Sequence, residues 1–476
     1  MNKEIPTTEI PDNAEQLPSA YLFDSGPAND SERAARFVEE FQTDLRYVSE
    51  WSAWMNWNGT HWQRDNGEVM RKAEQMPGVL LRESSQIKDL EKQRRAAAAA
   101  VKAGDAHNLR AMLSLAQSKV GIAAASKLFD ANPYLVGVKN GCVDLRKGEF
   151  HYGQREDFVT RKLGTEFDAS ATCPLWEKFI ARVLDNDSET IAYVQRALGY
   201  SLTGDVSEQC LFFLHGEGKN GKSTFIETVQ ALFGGYAHKA DNGLFTLDAK
   251  KAQAPLNEIA RLKGQRLITS AETEEGCYLA ESRVKDLTGG DTLTGRFLYC
   301  EPFNFRPTHK LWIYGNHKPN IRGSDLGIWR RIRLVPFDVI IPAEERDGQL
   351  GVKLLTELSG ILNWAIKGCL DWQKQELAEP KKVSGATEEY REEEDLLGEF
   401  IAELCHTGLP GNVGRVERGL LYTTYQQWAH TRGNKPMSDR TFGKRLRGRP
   451  GIGESRPNGV RCWTGITLKP DVTLVA

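Results

Sequence analysis

The segment Gly216-Glu217-Gly218-Lys219-Asn220-Gly221-Lys222-Ser223-Thr224 sets glycines, a lysine and two hydroxyl residues at the spacing G-x-x-x-x-G-K-[ST]. A turn of this composition lets successive backbone N–H groups curl around a phosphate, and a helix starting at the lysine adds the partial positive charge of its N-terminus. Lys222 can then reach the outer phosphates of a nucleoside triphosphate such as ATP, and the Ser223 hydroxyl can hold Mg2+. Such a loop names no substrate, because kinases, translocases and switches all carry one.

Three further segments have to position partners for it. The loop follows the apolar run Leu211-Phe212-Phe213-Leu214 and precedes Phe225 to Phe233, which predicts a buried strand, a turn and a helix ending at Gly234-Gly235. A second apolar run, Arg266 to Ala271, delivers Glu272 to its C-terminal end, where ligands sit in open α/β sheets. There Glu272 could help hold magnesium or polarise an attacking water, with Glu274 as a second acid. A third run, Lys310 to Gly315, delivers Asn316, an amide able to hydrogen-bond a γ-phosphate oxygen without adding charge. Finally Trp329-Arg330-Arg331 precedes a strand ending near Phe337. One of these arginines could cap a helix C-terminus and the other could project toward a phosphate.

At 476 residues the chain is long enough for two to four domains. Residues 1–30, rich in Pro, Asn, Asp, Glu and Ser, read as a disordered leader. The residues Met1 to Thr8 lack the apolar core of a signal peptide, and no run approaches the roughly 20 apolar residues of a membrane span, so a cytoplasmic location without a membrane partner is expected. The eight cysteines stand apart without C-x-x-C spacing and read as reduced thiols. Net charge is −2, so a nucleic-acid surface has to be local.

Helical spacing runs from Ser31 to Tyr47, then aromatic strands flank the turn signal Asn58-Gly59, whose tryptophans are read as a small core. One or two helices are expected between Lys88 and Lys127, a hairpin around Asn140-Gly141, and two amphipathic helices between Leu175 and Leu202. Near the C-terminus, a Pro-Lys-Lys linker leads to the acidic run Glu388 to Asp395, expected to begin a helix. Two more helices are expected at Leu420 to Arg432 and Ser438 to Arg447, then a hairpin around Pro457-Asn458-Gly459. Three helices and a hairpin predict a winged helix, and from His430 onward ten basic residues face three acidic ones, a local excess suited to phosphate contacts.

The order of these segments resembles superfamily 3 helicases. More closely, six motifs resemble the phage and plasmid DNA primase-helicases of the poxvirus type: Asn140 to Leu145, Gly199 to Gly204, Gly216 to Thr224, Lys285 to Asp291, Gly315 to Pro319 and Trp329 to Arg331. The resemblance implies an α/β P-loop NTPase core of AAA+-related type, an α-rich N-terminal domain over 31–205, a motor over 206–378 and a C-terminal winged helix over 388–476. It further implies a homo-hexameric ring that hydrolyses ATP between subunits and unwinds DNA, moving on single-stranded and forked DNA. By the same likeness Lys222 and Ser223 bind nucleotide and magnesium, Glu272 is the Walker B acid, Asn316 is sensor 1, and Arg331, ranked above Arg330, is the arginine finger. The segment Thr292 to Arg306 would form a pore hairpin, with Arg296, Arg306 and His309 as DNA contacts, although Tyr299-Cys300-Glu301 stands where relatives often place a basic tip. About 130 residues precede the matching region, without a Cys/His zinc cluster, so a helicase that relies on a separate primase is expected. The alternatives are a DNA-remodelling ATPase that does not unwind and a nucleotide-gated DNA-binding regulator.

Overall fold

The computed structural model describes residues 29–247, 256–271, 277–321, 326–408, 414–433 and 436–470. The leader expected over residues 1–30 lies almost wholly outside them. The chain divides into two compact units, one reaching to Ala131 and taking in Tyr152–Arg161, the other comprising Asn132–His151 and the residues from Lys162 onward.

The first unit sets a three-stranded antiparallel sheet, Leu45–Val48, Ala53–Trp57 and Trp62–Arg64, beside helices that include Asp30–Phe41, Leu90–Ala103 and Ala106–Ala116. Trp57 and Trp62 pair directly across the Asn58-Gly59 turn. Trp62 is fully enclosed and its indole N–H donates to the Arg155 carbonyl at 2.8 Å, so the tryptophan serves the core. The helix expected as far as Tyr47 stops at Phe41, because Leu45-Arg46-Tyr47-Val48 pairs with Ala53–Asn56. Aromatic and β-branched side chains pack well on such a ladder, and the cross-strand contact of Tyr47 with Trp54, ring centroids 5.3 Å apart, overrides helical spacing.

In the second unit the elements that matter for a site run in order. They are α1 (Ser188–Leu202), β1 (Leu211–His215), α2 (Lys222–Phe233), β2 (Ala237–Lys239), β3 (Leu267–Ala271), α3 (Glu281–Thr288), β4 (Leu293–Gly295), β5 (Phe303–Phe305), β6 (Lys310–Gly315), β7 (Ile332–Pro336), α4 (Leu358–Gln375) and α5 (Lys381–Glu393). Five strands form a wholly parallel sheet in the order β7-β1-β6-β3-β2. Strands covered on both faces read as continuous apolar runs, as β1, β3 and β6 do. The hairpin β4–β5 stands outside this sheet.

Helix α1 lies against α4 at backbone distance, with Gly199 and Gly368 at the crossing. The end of α1 and the turn after it are held by buried side chains at the starts of two strands: Arg266 donates to Leu202 O and also to Leu135 O, and Lys310 Nζ donates to Thr203 O and Asp205 O. Residues 162–205 therefore join the same body as the sheet, so the boundary expected at 205 falls inside the second unit.

Helix α5 begins directly after Pro380, earlier than the sequence indicates, so Glu388–Glu393 form its C-terminal half. It packs on β7, where the Leu334 N–H donates to Thr387 Oγ1 at 3.1 Å. Beyond it come helices Leu396–Leu404, Arg418–Thr431 and Asp439–Arg447 and an antiparallel ladder in which Gly453–Ser455 pairs with Cys462–Thr464 across Pro457–Gly459. No helix among the described residues is long and apolar enough to cross a membrane.

Candidate functional site

The register of the parallel sheet brings its C-terminal ends to one edge: His215 lies opposite Gly315, and Tyr314 opposite Ala271. The glycine loop, Asn316 and the chain leaving β3 thus start side by side. Glu272 and Glu274 immediately follow and lie outside the described residues.

The loop from Gly216 to Gly221 turns into α2, whose first residue is Lys222. Gly221 sits at φ 86, and a Cβ there would come within 2.7 Å of Val183 Cγ1, so both backbone and space call for glycine. A Cβ on Gly216 would meet the Phe337 carbonyl at 2.2 Å. The Phe337 N–H donates to His215 O at 2.7 Å, and Asn220 Nδ2 donates to Phe337 O at 2.8 Å. The end of β7 therefore supports the loop from one side, and the Ile341 N–H reaches Lys219 O at 3.0 Å on the other.

Lys222 is buried. Its ammonium donates to Gly216 O at 2.7 Å, to Asn220 Oδ1 at 3.0 Å and to Asn316 Oδ1 at 3.0 Å. Two residues 94 positions apart, singled out separately in the sequence, meet in one hydrogen bond. Ser223 is exposed on the first turn of α2, as are Glu217 and Lys219 in the loop, and Thr224 is half-buried beside Ser223. Burial first, then the Lys318 cation, pushes the pKa of His215, at the foot of the loop, below its ordinary value.

The sequence points to Asn220 only as loop backbone. The structure makes its side chain, 3% exposed, the joint between Lys222 and Phe337. A short amide inside a glycine loop was the available signal, since Asn offers a donor and an acceptor from one group.

Arg330 and Arg331 precede β7, whose first residue Ile332 pairs with Leu211, the first of β1. They stand at the N-terminal edge of the sheet, opposite the edge from which the glycine loop leaves. Arg331 is 8% exposed, and its guanidinium donates to Thr288 Oγ1 at 3.0 Å and Gly327 O at 2.7 Å, an internal brace between two of the sequence motifs. Arg330 is exposed.

The hairpin β4–β5 carries exposed Arg296 and Arg306 and a tip where Tyr299 is 96% exposed. His309, expected among the DNA contacts, is 2% exposed and enclosed, which removes it from any DNA-facing surface. In the C-terminal region, among the described residues, Arg432 pairs with Glu403, Arg447 with Glu454 and Arg449 with Asp395. Arg440 and Lys444 remain exposed one helical turn apart on Asp439–Arg447.

Comparison with known proteins adds three regional matches. Residues 34–185 match the family described as D5 N terminal like, residues 214–331 a family of unknown function (DUF5906), and residues 392–448 the family described as Poxvirus D5 protein-like. The chain is 28% identical over 324 residues to "Putative helicase L207/L206" of Acanthamoeba polyphaga mimivirus, covering 63% of this chain and 33% of that protein. It is 25% identical over 366 residues to "Putative helicase 184R" of Invertebrate iridescent virus 6, covering 69% and 38%. It is also 25% identical over 214 residues to "Putative primase C962R" of African swine fever virus, covering 43% and 22%. The chain thus spans well under half the length of these relatives. Among solved structures, the apo A form of the NrS-1 C-terminal region shares the fold, with a TM-score of 0.50 at 8% identity over 92% of this chain and 100% of that one.

Proposed function

We propose that this chain, which carries regions matching the D5 N terminal like and Poxvirus D5 protein-like families, is an ATP-driven DNA helicase. Its working form in this reading is a ring, with ATP held between subunits and single-stranded DNA as the track. The observation that carries the reading is the hydrogen bond from Lys222 to Asn316 at the edge where β1, β6 and β3 end together. A lysine for the phosphates, an amide for the terminal phosphate or the lytic water, and a strand leading to an acid are the parts that phosphoryl transfer requires.

The residues fit ATP and magnesium. The crowded Cβ positions at Gly216 and Gly221 leave room only for backbone, which suits a cradle for phosphate oxygens. Ser223 on the first turn of α2 and the carboxylate of Glu272 are the groups proposed to hold Mg2+. When bound, that ion neutralises charge on the phosphates during transfer. Lys222 supplies positive charge to the same oxygens, Asn316 orients, and the rigid attachment of Asn220 to Phe337 keeps the loop from collapsing. Arg330 stands at the far sheet edge, so in this reading it serves the site of the next subunit.

The test is ATP hydrolysis and forked-duplex separation by the wild-type chain and by Lys222→Ala, each with and without single-stranded DNA. DNA-stimulated hydrolysis and unwinding, both lost in the variant, are expected. Hydrolysis without strand separation would favour the remodelling ATPase. DNA binding that responds to ATP without appreciable turnover would favour the regulator.

A further inference from the structure

The loop that follows Asn316 is held from two directions. On one side Asn320 exchanges backbone hydrogen bonds with the segment emerging after Glu272: its N–H donates to Cys277 O at 2.8 Å and its carbonyl accepts from Leu279 N–H at 2.9 Å. On the other side lies the C-terminal end of α5. The Tyr390 hydroxyl donates to the Pro319 carbonyl, Lys318 Nζ pairs with Glu393 at 2.7 Å, and Glu394 Oε2 accepts the Ile321 N–H at 2.8 Å. Tyr390 is 1% exposed, packed edge-on against Trp329 with ring centroids 5.1 Å apart, and the Lys318 ammonium sits 5.4 Å from its ring centre. Three contacts within four residues, at Lys318, Pro319 and Ile321, leave this loop little freedom to shift unless α5 shifts with it.

We propose that Tyr390 and Glu394 are positioning residues for Asn316. They fix the loop three and five residues beyond it and thereby set where its amide stands relative to Lys222. The next residue, Asp395, caps helix Leu396–Leu404 by accepting the Gly398 N–H at 3.1 Å and pairs with Arg449. The hold on the Asn316 loop and the root of the C-terminal region are thus adjacent residues, and a load on that region is transmitted to the nucleotide site through α5. This inference rests on the proposed ATPase reading.

Tyr390→Phe removes one hydroxyl and keeps the ring. Glu394→Ala removes the acceptor for Ile321, and Glu394→Gln restores an acceptor without charge. Hydrogen–deuterium exchange at the Ile321 amide should rise about tenfold in Glu394→Ala and return toward wild type in Glu394→Gln. In steady-state ATP hydrolysis, kcat should fall about fivefold or more in Tyr390→Phe and Glu394→Ala while KM for ATP stays within about twofold, because the phosphate cradle is untouched. Glu394→Gln should recover most of kcat. Unchanged exchange at Ile321 overturns the clamp, and faster exchange with unchanged kcat overturns the positioning role. So does a parallel loss in kcat and ATP affinity that Glu394→Gln fails to rescue, the mark of general damage. If the wild-type chain hydrolyses no ATP, the functional reading fails and the positioning role with it, while the exchange measurement still decides whether α5 holds the loop.

Discussion

Asn220 and His309 show how a side chain's surroundings decide its role. Asn220 bridges the Lys222 ammonium and the Phe337 carbonyl inside the fold, so Asn220→Ala leaves a buried carbonyl without its donor and an ammonium short of one acceptor. We expect a loss of about 2 kcal/mol in urea unfolding together with weaker nucleotide binding, since an orphaned buried partner costs more than an average hydrogen bond contributes. His309 carries the pH dependence. Burial, and then the neighbouring Lys310 cation, pushes its imidazole from 6.5 down to about 3. A depressed pKa gives stability that is complete above the unfolded value and is lost as pH falls from 6.5 toward 3, because only the unfolded chain takes up the proton. Wild type should lose about 1.4 kcal/mol for each pH unit in that window, to order of magnitude, and His309→Leu should flatten this slope when unfolding is compared at pH 7.5 and 5.5.

Among the elements, the crossing of α1 and α4 is the most constrained. A Cβ on Gly199 would stand 2.0 Å from the Cys369 backbone nitrogen and 2.5 Å from the Ala365 carbonyl, and one on Gly368 would stand 2.0 Å from Gln195 O. Backbone cannot yield as a long side chain does, so Gly199→Ala has to push the helices apart. We expect a destabilisation of about 3 kcal/mol in chemical unfolding, at the upper end for overpacking. Ser201 on the same helix accepts the Trp312 indole N–H at 3.0 Å, so the displacement would reach β6, the strand that delivers Asn316. The motif Gly199 to Gly204 thereby acquires a physical meaning: one residue for close helix approach, then hydroxyls and carbonyls that meet Trp312 and Lys310.

For the whole molecule, the decisive geometry is the separation of Arg330 from Lys222 across the length of the sheet. Within one chain the two stand toward opposite ends of the parallel strands, so complementation between chains tests the proposed ring. Mixing Arg330→Ala with Lys222→Ala chains, each inactive alone, should restore part of the ATP hydrolysis. Mixtures of Arg331→Ala with Lys222→Ala should restore less, because Arg331 braces Thr288 inside its own subunit and its loss damages the fold. Equal silence in all mixtures would remove Arg330 from a role in trans.

The strands and helices around the glycine loop were legible in the chain itself, because buried parallel strands leave unbroken apolar runs and a tight turn packed against Val183 and Phe337 demands glycines at fixed places. The sequence also placed Lys222 at the start of the helix after the loop and Asn316 at a strand end, and the turn signals at Asn58-Gly59 and Pro457-Asn458-Gly459 fall where strands reverse. What it could not contain is which ends become neighbours. The insertion of β6 between β1 and β3, the enclosure of His309 and Arg331, the bracing role of Asn220 and the grip of α5 on the loop after Asn316 all depend on contacts between distant segments. Such contacts leave no local periodicity, because each partner is chosen by the sheet order and by the space left when the helices close over it, and only the folded chain decides that.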